Sequence, residues 1–201
     1  MKTFLLSLLV MISVNCFGQN LESKTFNFDY QISYTIKNEK RIIDKSVLIN
    51  SEDSTYYMLL SKIDNEILAE VILVKDKRKN VFVLNQKNDN FDFRYSTKIN
   101  IYSGHSHYYS MNILDNGTVE LLQFRNKKKT KLEESQVLTF TTSEKPLFFA
   151  YIYAIYNVQD VMGINFSYSE NIIVKEANVD CGNGSTAKIT LKEVKKINLK
   201  L

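Results

Sequence analysis

The chain has 201 residues, of which 44% are hydrophobic and 24% are charged. These proportions are ordinary for a globular protein and exclude a disordered chain, a collagen-like fibre and a polytopic helical membrane protein. The formal net charge is only +4 and we find no nucleic-acid-binding motif, so no nucleic-acid partner is expected.

The first 18 residues have the features of a signal peptide. Lys2 is a short positive region, residues 4–14 are apolar, and Cys16-Phe17-Gly18 places small residues where signal peptidase requires them. The apolar stretch is too short to span a bilayer, which takes roughly 20 residues. We expect cleavage after Gly18, export to the periplasm, outer membrane or extracellular space, and a loose leader over residues 19–24.

Cys16 leaves a second interpretation open, the lipidated cysteine of a bacterial lipoprotein. Asn15 fits poorly beside the cysteine of such a signal, so simple cleavage is favoured. Cleavage leaves Cys181 as the only cysteine and excludes an intramolecular disulfide, so the hydrophobic core must hold the fold together.

Alternation of apolar and polar residues dominates the remainder, residues 25–201, which we interpret as a single β-rich domain. The longest alternating set is Phe26, Phe28, Tyr30, Ile32, Tyr34 and Ile36. Alternation of this kind predicts a strand with one buried face. Further strands are predicted at residues 42–49, 55–62, 67–75, 81–85, 91–101, 108–114, 118–124, 136–142, 163–168, 172–175, 187–194 and 196–201. Short polar breaks between them favour a single antiparallel, strongly curved sheet, either a half-barrel or an open barrel.

One segment, residues 146–157, differs from the others. Ser143, Glu144 and Pro146 resemble the start of a helix, and residues 147–156 are entirely apolar or aromatic. Periodicity does not separate a buried helix from a strand here. We favour one short helix packed against the sheet.

His105 and His107 are the only histidines. On a strand, residues two apart share a face, so both imidazoles could contact one metal ion, with Asp115, Glu120 or a tyrosine as a further ligand. The simpler interpretation is a polar loop after Gly104. No other cofactor is indicated.

Cys181 and the acids give weaker signals. Cys181 is followed by Gly182-Asn183-Gly184, which favours a turn over a nucleophilic site. Glu133 and Glu134 are adjacent, so on a strand their side chains would face opposite ways. No nucleophile–base pair is recognisable, which favours a non-enzymatic protein.

Four lysines, Lys127, Lys128, Lys129 and Lys131, form the main local run of positive charge. A solvated loop or hairpin tip is the default interpretation. The functional alternative is contact with anionic lipid headgroups at a membrane surface, or with an acidic partner.

A signal peptide, a series of antiparallel strands and a short apolar helix resemble the periplasmic lipoprotein-carrier architecture. This architecture implies an open half-barrel around a hydrophobic groove. The resemblance covers most of the chain but includes no family motif, so it assigns no binding residue. Twelve Phe and twelve Tyr residues are consistent with either a filled core or a concave face that holds an apolar ligand.

We therefore expect an exported, non-enzymatic binding or envelope protein whose partner is an apolar small molecule or lipid. The alternatives are a small outer-membrane β-barrel and a hydrolase without a recognisable motif. Short strands, strands without clean alternation and the C-terminal Leu201 argue against the barrel.

Overall fold

The computed structural model describes residues 25–63, 65–88, 90–100, 107–114, 117–164 and 170–201. The predicted signal peptide and leader lie outside these residues, as does His105. In the described residues the chain forms eleven strands and two helices. They are β1 (Asn27–Asn38), β2 (Ile42–Asn50), β3 (Asp53–Ile63), β4 (Glu66–Leu73), β5 (Arg78–Asn85), β6 (Asn90–Lys98), β7 (Tyr108–Ile113), β8 (Val119–Phe124), β9 (Leu132–Thr142), α1 (Phe148–Ile155), α2 (Val158–Gly163), β10 (Ile172–Asp180) and β11 (Thr186–Lys200).

All eleven strands belong to one antiparallel sheet, in the order β6-β5-β4-β3-β2-β1-β11-β10-β9-β8-β7. Short turns join most sequence neighbours, which is the connection that antiparallel pairing allows. The first and last strands lie side by side in the middle of the sheet, because β1 pairs with both β2 and β11. Across the described residues the sheet is not closed, and β6 and β7 form its edges. The predicted single antiparallel sheet is confirmed.

The sheet curves around α1. This helix packs against β1, β2, β3 and β10, and its buried side chains share one core with Tyr109 of β7, Leu121 of β8 and Leu138 of β9. One short helix can contact strands from both halves of such a wide sheet only if the sheet bends around it. We call the core between α1 and the sheet the helix-side core. The curved sheet that surrounds it is the half-barrel expected from the sequence.

A second core lies on the opposite face of the β2–β5 half, and we call it the far-side core. It contains Phe26, Phe28, Leu48, Tyr56, Met58, Ala69, Val71, Leu73 and Phe82. Neighbouring residues of β4 belong to different cores, since Ile72 packs with α1 whereas Val71 and Leu73 do not. Successive strand residues point to opposite faces. Both faces of β4 are therefore buried, which explains why its sequence lacks a clean alternation.

The helix preferred for residues 146–157 is confirmed as α1, but Ser143 is not its cap. Leu147 occupies the cap position without a side-chain hydrogen bond, and Ser143 Oγ instead donates to the Lys145 carbonyl at 2.5 Å. In the described residues no helix has the length and apolar character to cross a membrane.

Two further predictions are corrected. The short helix α2 was not expected; it forms because the Asn157 side chain accepts from the backbone N–H groups of Gln159 and Asp160, each at 3.0 Å. Residue 163, predicted to begin a strand, ends this helix, and residues 165–168 of that prediction lie outside the described residues. The strands predicted at 187–194 and 196–201 are one continuous strand, β11.

Candidate functional site

A polar cluster lies where α2 meets the beginnings of β7 and β9. We define it as His107, Tyr109, Glu133, Glu134, Gln136, Tyr156 and Asp160. Three of the four buried polar side chains in the described part of the chain, Gln123, Gln136 and Asp160, lie in or beside it. A buried polar group destabilises a fold unless it is hydrogen-bonded, so the contacts of these side chains determine what the cluster does.

His107 lies between two carboxylates from different elements. Its Nδ1 atom is 2.5 Å from Asp160 Oδ1 on α2, and its Nε2 atom is 3.0 Å from Glu133 Oε2 on β9. The second contact is an ion pair without hydrogen-bond alignment. Arg125 binds the other oxygen of Glu133 at 2.6 Å. The ring is therefore held by one hydrogen-bonding contact with Asp160 and lies against Glu133 on its other side.

A β-bulge places Glu133 and Glu134 on the same cluster. Across β8 and β9, Phe124 pairs with Leu132 and Gln123 pairs with Glu134, so Glu133 is an extra residue in β9. An extra residue interrupts the alternation of side chains and redirects one of them. The expectation that the two acids face opposite ways is wrong for this reason.

Glu134 and Gln136 connect the cluster to the helix-side core. Gln136 Nε2 donates to Glu134 at 2.7 Å and to the Tyr156 hydroxyl at 2.8 Å, and Gln136 Oε1 accepts from the Tyr151 hydroxyl at 2.5 Å. Burial raises the pKa of Glu134. The hydrogen bonds that it accepts from Gln136 and Tyr156 lower the pKa, and the nearby charges of Asp160 and Glu133 raise it further. The hydrogen bond from Arg125 keeps the pKa of Glu133 below its ordinary value.

The contacts of the cluster join α2 to β7 and β9. Among the described residues, no Ser or Cys side chain forms a hydrogen bond with the His107 ring. Cys181 lies nearby, but burial raises the pKa of its thiol, as do the charges of Glu134 and Asp180, which disfavours the reactive thiolate. The turn predicted after Cys181 is confirmed, with Gly182 and Gly184 both at positive φ.

The metal prediction for His105 and His107 stays a prediction, because His105 lies outside the described residues. Within the described ranges, no group of three or more His, Cys, Asp or Glu side chains is arranged to hold a metal ion.

The lysine run forms the turn between β8 and β9, as expected. Lys127, Lys128, Lys129 and Lys131 are all exposed, and the Lys129 ammonium also donates to the Tyr109 carbonyl at 2.6 Å. Contact of this turn with an anionic surface stays a prediction.

A groove runs between the two helices and the β2–β6 half of the sheet. Its first part, the inner chamber, has a volume of about 480 Å³ and is lined by Ile43, Leu59, Tyr153, Ile155 and Val158 among others. Its apolar residues come from β2, β3 and the two helices. The chamber is concave, and its lining combines these apolar residues with polar ones such as Asp44, Ser61 and Glu70.

The second part of the groove, the outer chamber, has a volume of about 530 Å³. It meets the inner chamber at Glu70, Asn157 and Val158, which line both. Lys79, Asn100 and Gln159 complete most of its polar lining. Both chambers have mixed linings, and most of the apolar residues that line the groove lie in the inner chamber.

The two sites share α2. Asp160 of this helix is bound by His107, while Asn157, Val158 and Gln159 at its start line the groove. The polar cluster thus fixes one wall of the groove.

Sequence reasoning did not identify Glu70 or Asp160. Glu70 interrupts the apolar run of β4, and a lone acid in a strand buried on both faces is a signal that could have been used. Asp160 carried no such signal, because its partner His107 is 53 positions away.

Comparison with known proteins adds little to this picture. No protein-family model matches the chain, and no curated protein matches it. Among solved structures, the chain is similar to a DUF1329 family protein from Desulfovibrio piger, with 9% identity over 85% of each chain and a TM-score of 0.25. This TM-score is too low to support an argument about fold or function, so the proposals below depend on the geometry of this chain.

Proposed function

We propose that the protein is an exported, non-enzymatic envelope protein that binds a lipid-like ligand in the groove between the helices and the β2–β6 half of the sheet. The observation that carries the proposal is the inner chamber, a concave space between α1, α2, β2 and β3 to which each of these four elements contributes an apolar or aromatic side chain. Export is supported by the signal-peptide features of residues 1–18.

The volume of the groove supports an acyl chain as the ligand. The helix-side core is filled by α1, where Phe148, Tyr151 and Ile152 have no exposed surface. A ligand therefore has to lie beside the helix and not in its place. The inner chamber, at about 480 Å³, falls within the roughly 300–1,000 Å³ typical of small-molecule sites.

The position of the polar cluster supports a binding role over an enzymatic one. The cluster lies behind α2 and holds this helix against β7 and β9 through Asp160. Both His107 nitrogens face carboxylates, so neither is directed at a substrate. A wall held in place by these contacts reduces the ordering that a ligand must impose when it binds.

Native mass spectrometry of the mature protein, purified from the cell envelope without detergent, tests this proposal. We expect extra mass that solvent extraction identifies as lipid, and binding of palmitate or monopalmitin to the delipidated protein. The proposal would be refuted if the purified protein has the mass of the polypeptide alone and the protein binds neither compound.

A pair of substitutions locates the ligand. Ser61 is exposed and lines the inner chamber, so Ser61→Phe should fill the chamber and abolish binding. Thr190 is also exposed but follows the buried Ile189 and faces the other side of the sheet. Thr190→Phe should bind as the parent does. Equal loss in both variants would place the ligand elsewhere.

A further inference from the structure

We infer that the ligand is a single-chain amphiphile with an uncharged, hydroxyl-bearing head, and that the outer chamber binds this head. The inference rests on the proposed function, because it assigns the tail of the ligand to the inner chamber. Glu70 and Lys79 are the central residues: the first lines both chambers and the second lines the outer one.

The sheet register places these two charges on the groove side. Leu59, which packs in the helix-side core, pairs with Glu70, and Ile72 of the same core pairs with Lys79. Directly paired residues of antiparallel strands share a face. Glu70 and Lys79 therefore face the helices, together with the apolar residues of the inner chamber.

The charges of this pair cancel. Lys79 Nζ forms an ion pair with Glu70 Oε1, so neither an anionic nor a cationic head meets a net opposite charge there. Lys98 also borders the outer chamber, but it pairs with Arg78, next to Lys79 on the strand, and therefore belongs to the opposite face.

Other charges along the groove do not alter this balance. Lys45 borders the inner chamber but is exposed, and water screens the charge of an exposed ammonium. Asp44 is bound by Lys192 and Thr35, side chains outside the groove lining.

The remaining polar lining suits hydroxyl groups. Asn100 and Gln159 border the outer chamber. The Gln159 Nε2 atom donates to the backbone carbonyl of Asn100 at 3.0 Å, so the Gln159 side-chain oxygen is left as an acceptor. Each amide side chain offers both donors and an acceptor. Paired charges and amides together match a group that donates and accepts hydrogen bonds, as a glycerol or sugar hydroxyl does.

The test compares three amphiphiles with similar chains and different heads. Delipidated protein is titrated with monopalmitin, palmitate and hexadecylamine, each below its aggregation threshold, at neutral pH and low salt. We expect monopalmitin to bind at least about fivefold more tightly than either charged compound, because a charged head has no net counter-charge in the chamber. An alkyl glucoside then distinguishes a sugar head from a glycerol head.

Two substitutions should reverse the preference. Glu70→Gln leaves Lys79 without its carboxylate, so palmitate should bind at least about threefold more tightly than it binds the parent. Lys79→Gln leaves Glu70 unpaired, so hexadecylamine should gain by a similar factor. Glu66→Gln is the matched control, because Glu66 forms an ion pair with Arg94 on the same half of the sheet but outside both chambers.

The outcomes separate this inference from the proposed function. Equal binding of all three compounds, or preference for a charged one by the parent, would overturn the assignment of the head while leaving the apolar groove intact. Loss of binding by all three would refute the proposed function itself. A change of preference in Glu66→Gln as large as in Glu70→Gln would show that general surface charge, not the outer chamber, discriminates between heads.

Discussion

The bulge at Glu133 decides which side chains meet in the polar cluster. The extra residue in β9 turns this carboxylate towards His107, while Glu134 reaches Gln136 and Tyr156. Gly182 packs directly against the bulge, because a Cβ built on it would lie 2.8 Å from the Glu133 carbonyl oxygen. The turn after Cys181 and the bulge therefore constrain each other.

Gly182 and Gly184 allow this contact to be tested. Both have positive φ, but a Cβ on Gly184 would meet nothing within 4 Å. Gly184→Ala should lower the free energy of unfolding by about 1–2 kcal/mol, because alanine is disfavoured in the left-handed backbone conformation. Gly182→Ala should cost about 1–3 kcal/mol more, because it also forces the Glu133 backbone to move. Chemical denaturation of both variants measures the difference, and equal losses would contradict the contact.

Glu134 should make stability depend on pH. Burial raises its pKa above the ordinary value of a glutamate, so the folded protein binds this proton more tightly than the unfolded chain does. The resulting stabilisation is complete below that value and is lost as pH rises through the folded-state pKa. At neutral pH the buried carboxylate therefore weakens the fold.

Glu134→Gln should accordingly stabilise the protein at pH 7 by about 0.5–1 kcal/mol, because the amide keeps an acceptor oxygen without a charge. The gain should shrink as pH is lowered. Glu144→Gln is the control with the opposite trend, because the hydrogen bond from Lys196 lowers the pKa of the exposed Glu144. Denaturation midpoints across the pH range test both trends, and a gain for Glu134→Gln that grows at low pH would contradict the assignment.

At the scale of elements, the short helix α2 depends on its cap. The Asn157 side chain accepts from two backbone N–H groups and also donates to Asp160. Asn157→Ala should therefore destabilise the protein by about 1–2 kcal/mol. Loss of the cap should accelerate amide exchange in α2. Ligand affinity should also fall, because residues at the start of α2 line the groove.

Asn38→Ala is the matched control for this substitution. The Asn38 side chain accepts from the backbone N–H groups of Lys40 and Arg41, each at 2.9 Å, in the turn between β1 and β2. Its loss should accelerate exchange in that turn and leave binding unchanged. Unchanged exchange in α2 of the Asn157 variant would show that His107 and packing alone hold the helix.

The sequence predicted elements where one physical cause dominated. The alternation in β1 revealed a buried strand, although its residues divide between the two cores, because a register shift separates Phe28 from Tyr30. The aromatic run of residues 147–156 revealed a buried segment. Prediction failed where causes compete or act at long range. The composition of β4 reflects two cores, the position of Glu133 reflects a bulge, and the His107–Asp160 contact joins residues far apart in the chain.

At the scale of the molecule, the sheet has two cores on opposite faces and its two terminal strands at the centre. Phe26 and Leu201 exchange two backbone hydrogen bonds of 2.9 Å, so the ends of β1 and β11 lie side by side. The strands β1 and β11 form the most extensive contact between two elements. The middle of the sheet is therefore held by a pair of strands that are most distant in the chain.

This arrangement predicts that a circular permutant will fold. In this permutant a short Gly-Ser linker joins Leu201 to Thr25. The chain is cut between Glu39 and Lys40, which are exposed in the turn between β1 and β2. The strand order is then unchanged, because β1 still lies between β11 and β2. We expect cooperative thermal unfolding within roughly 5 °C of the parent, the shift that about 1–2 kcal/mol produces in a domain of this size.

A second permutant provides the control. Cutting between Tyr151 and Ile152 opens α1 at two side chains with no exposed surface, so the helix-side core should not form. Calorimetry and native mass spectrometry with monopalmitin distinguish the two chains. If the permutant cut at Glu39 unfolded without cooperativity, covalent continuity between β1 and β2 would be needed to assemble the centre of the sheet, and hydrogen bonding of β1 to both its neighbours would not suffice.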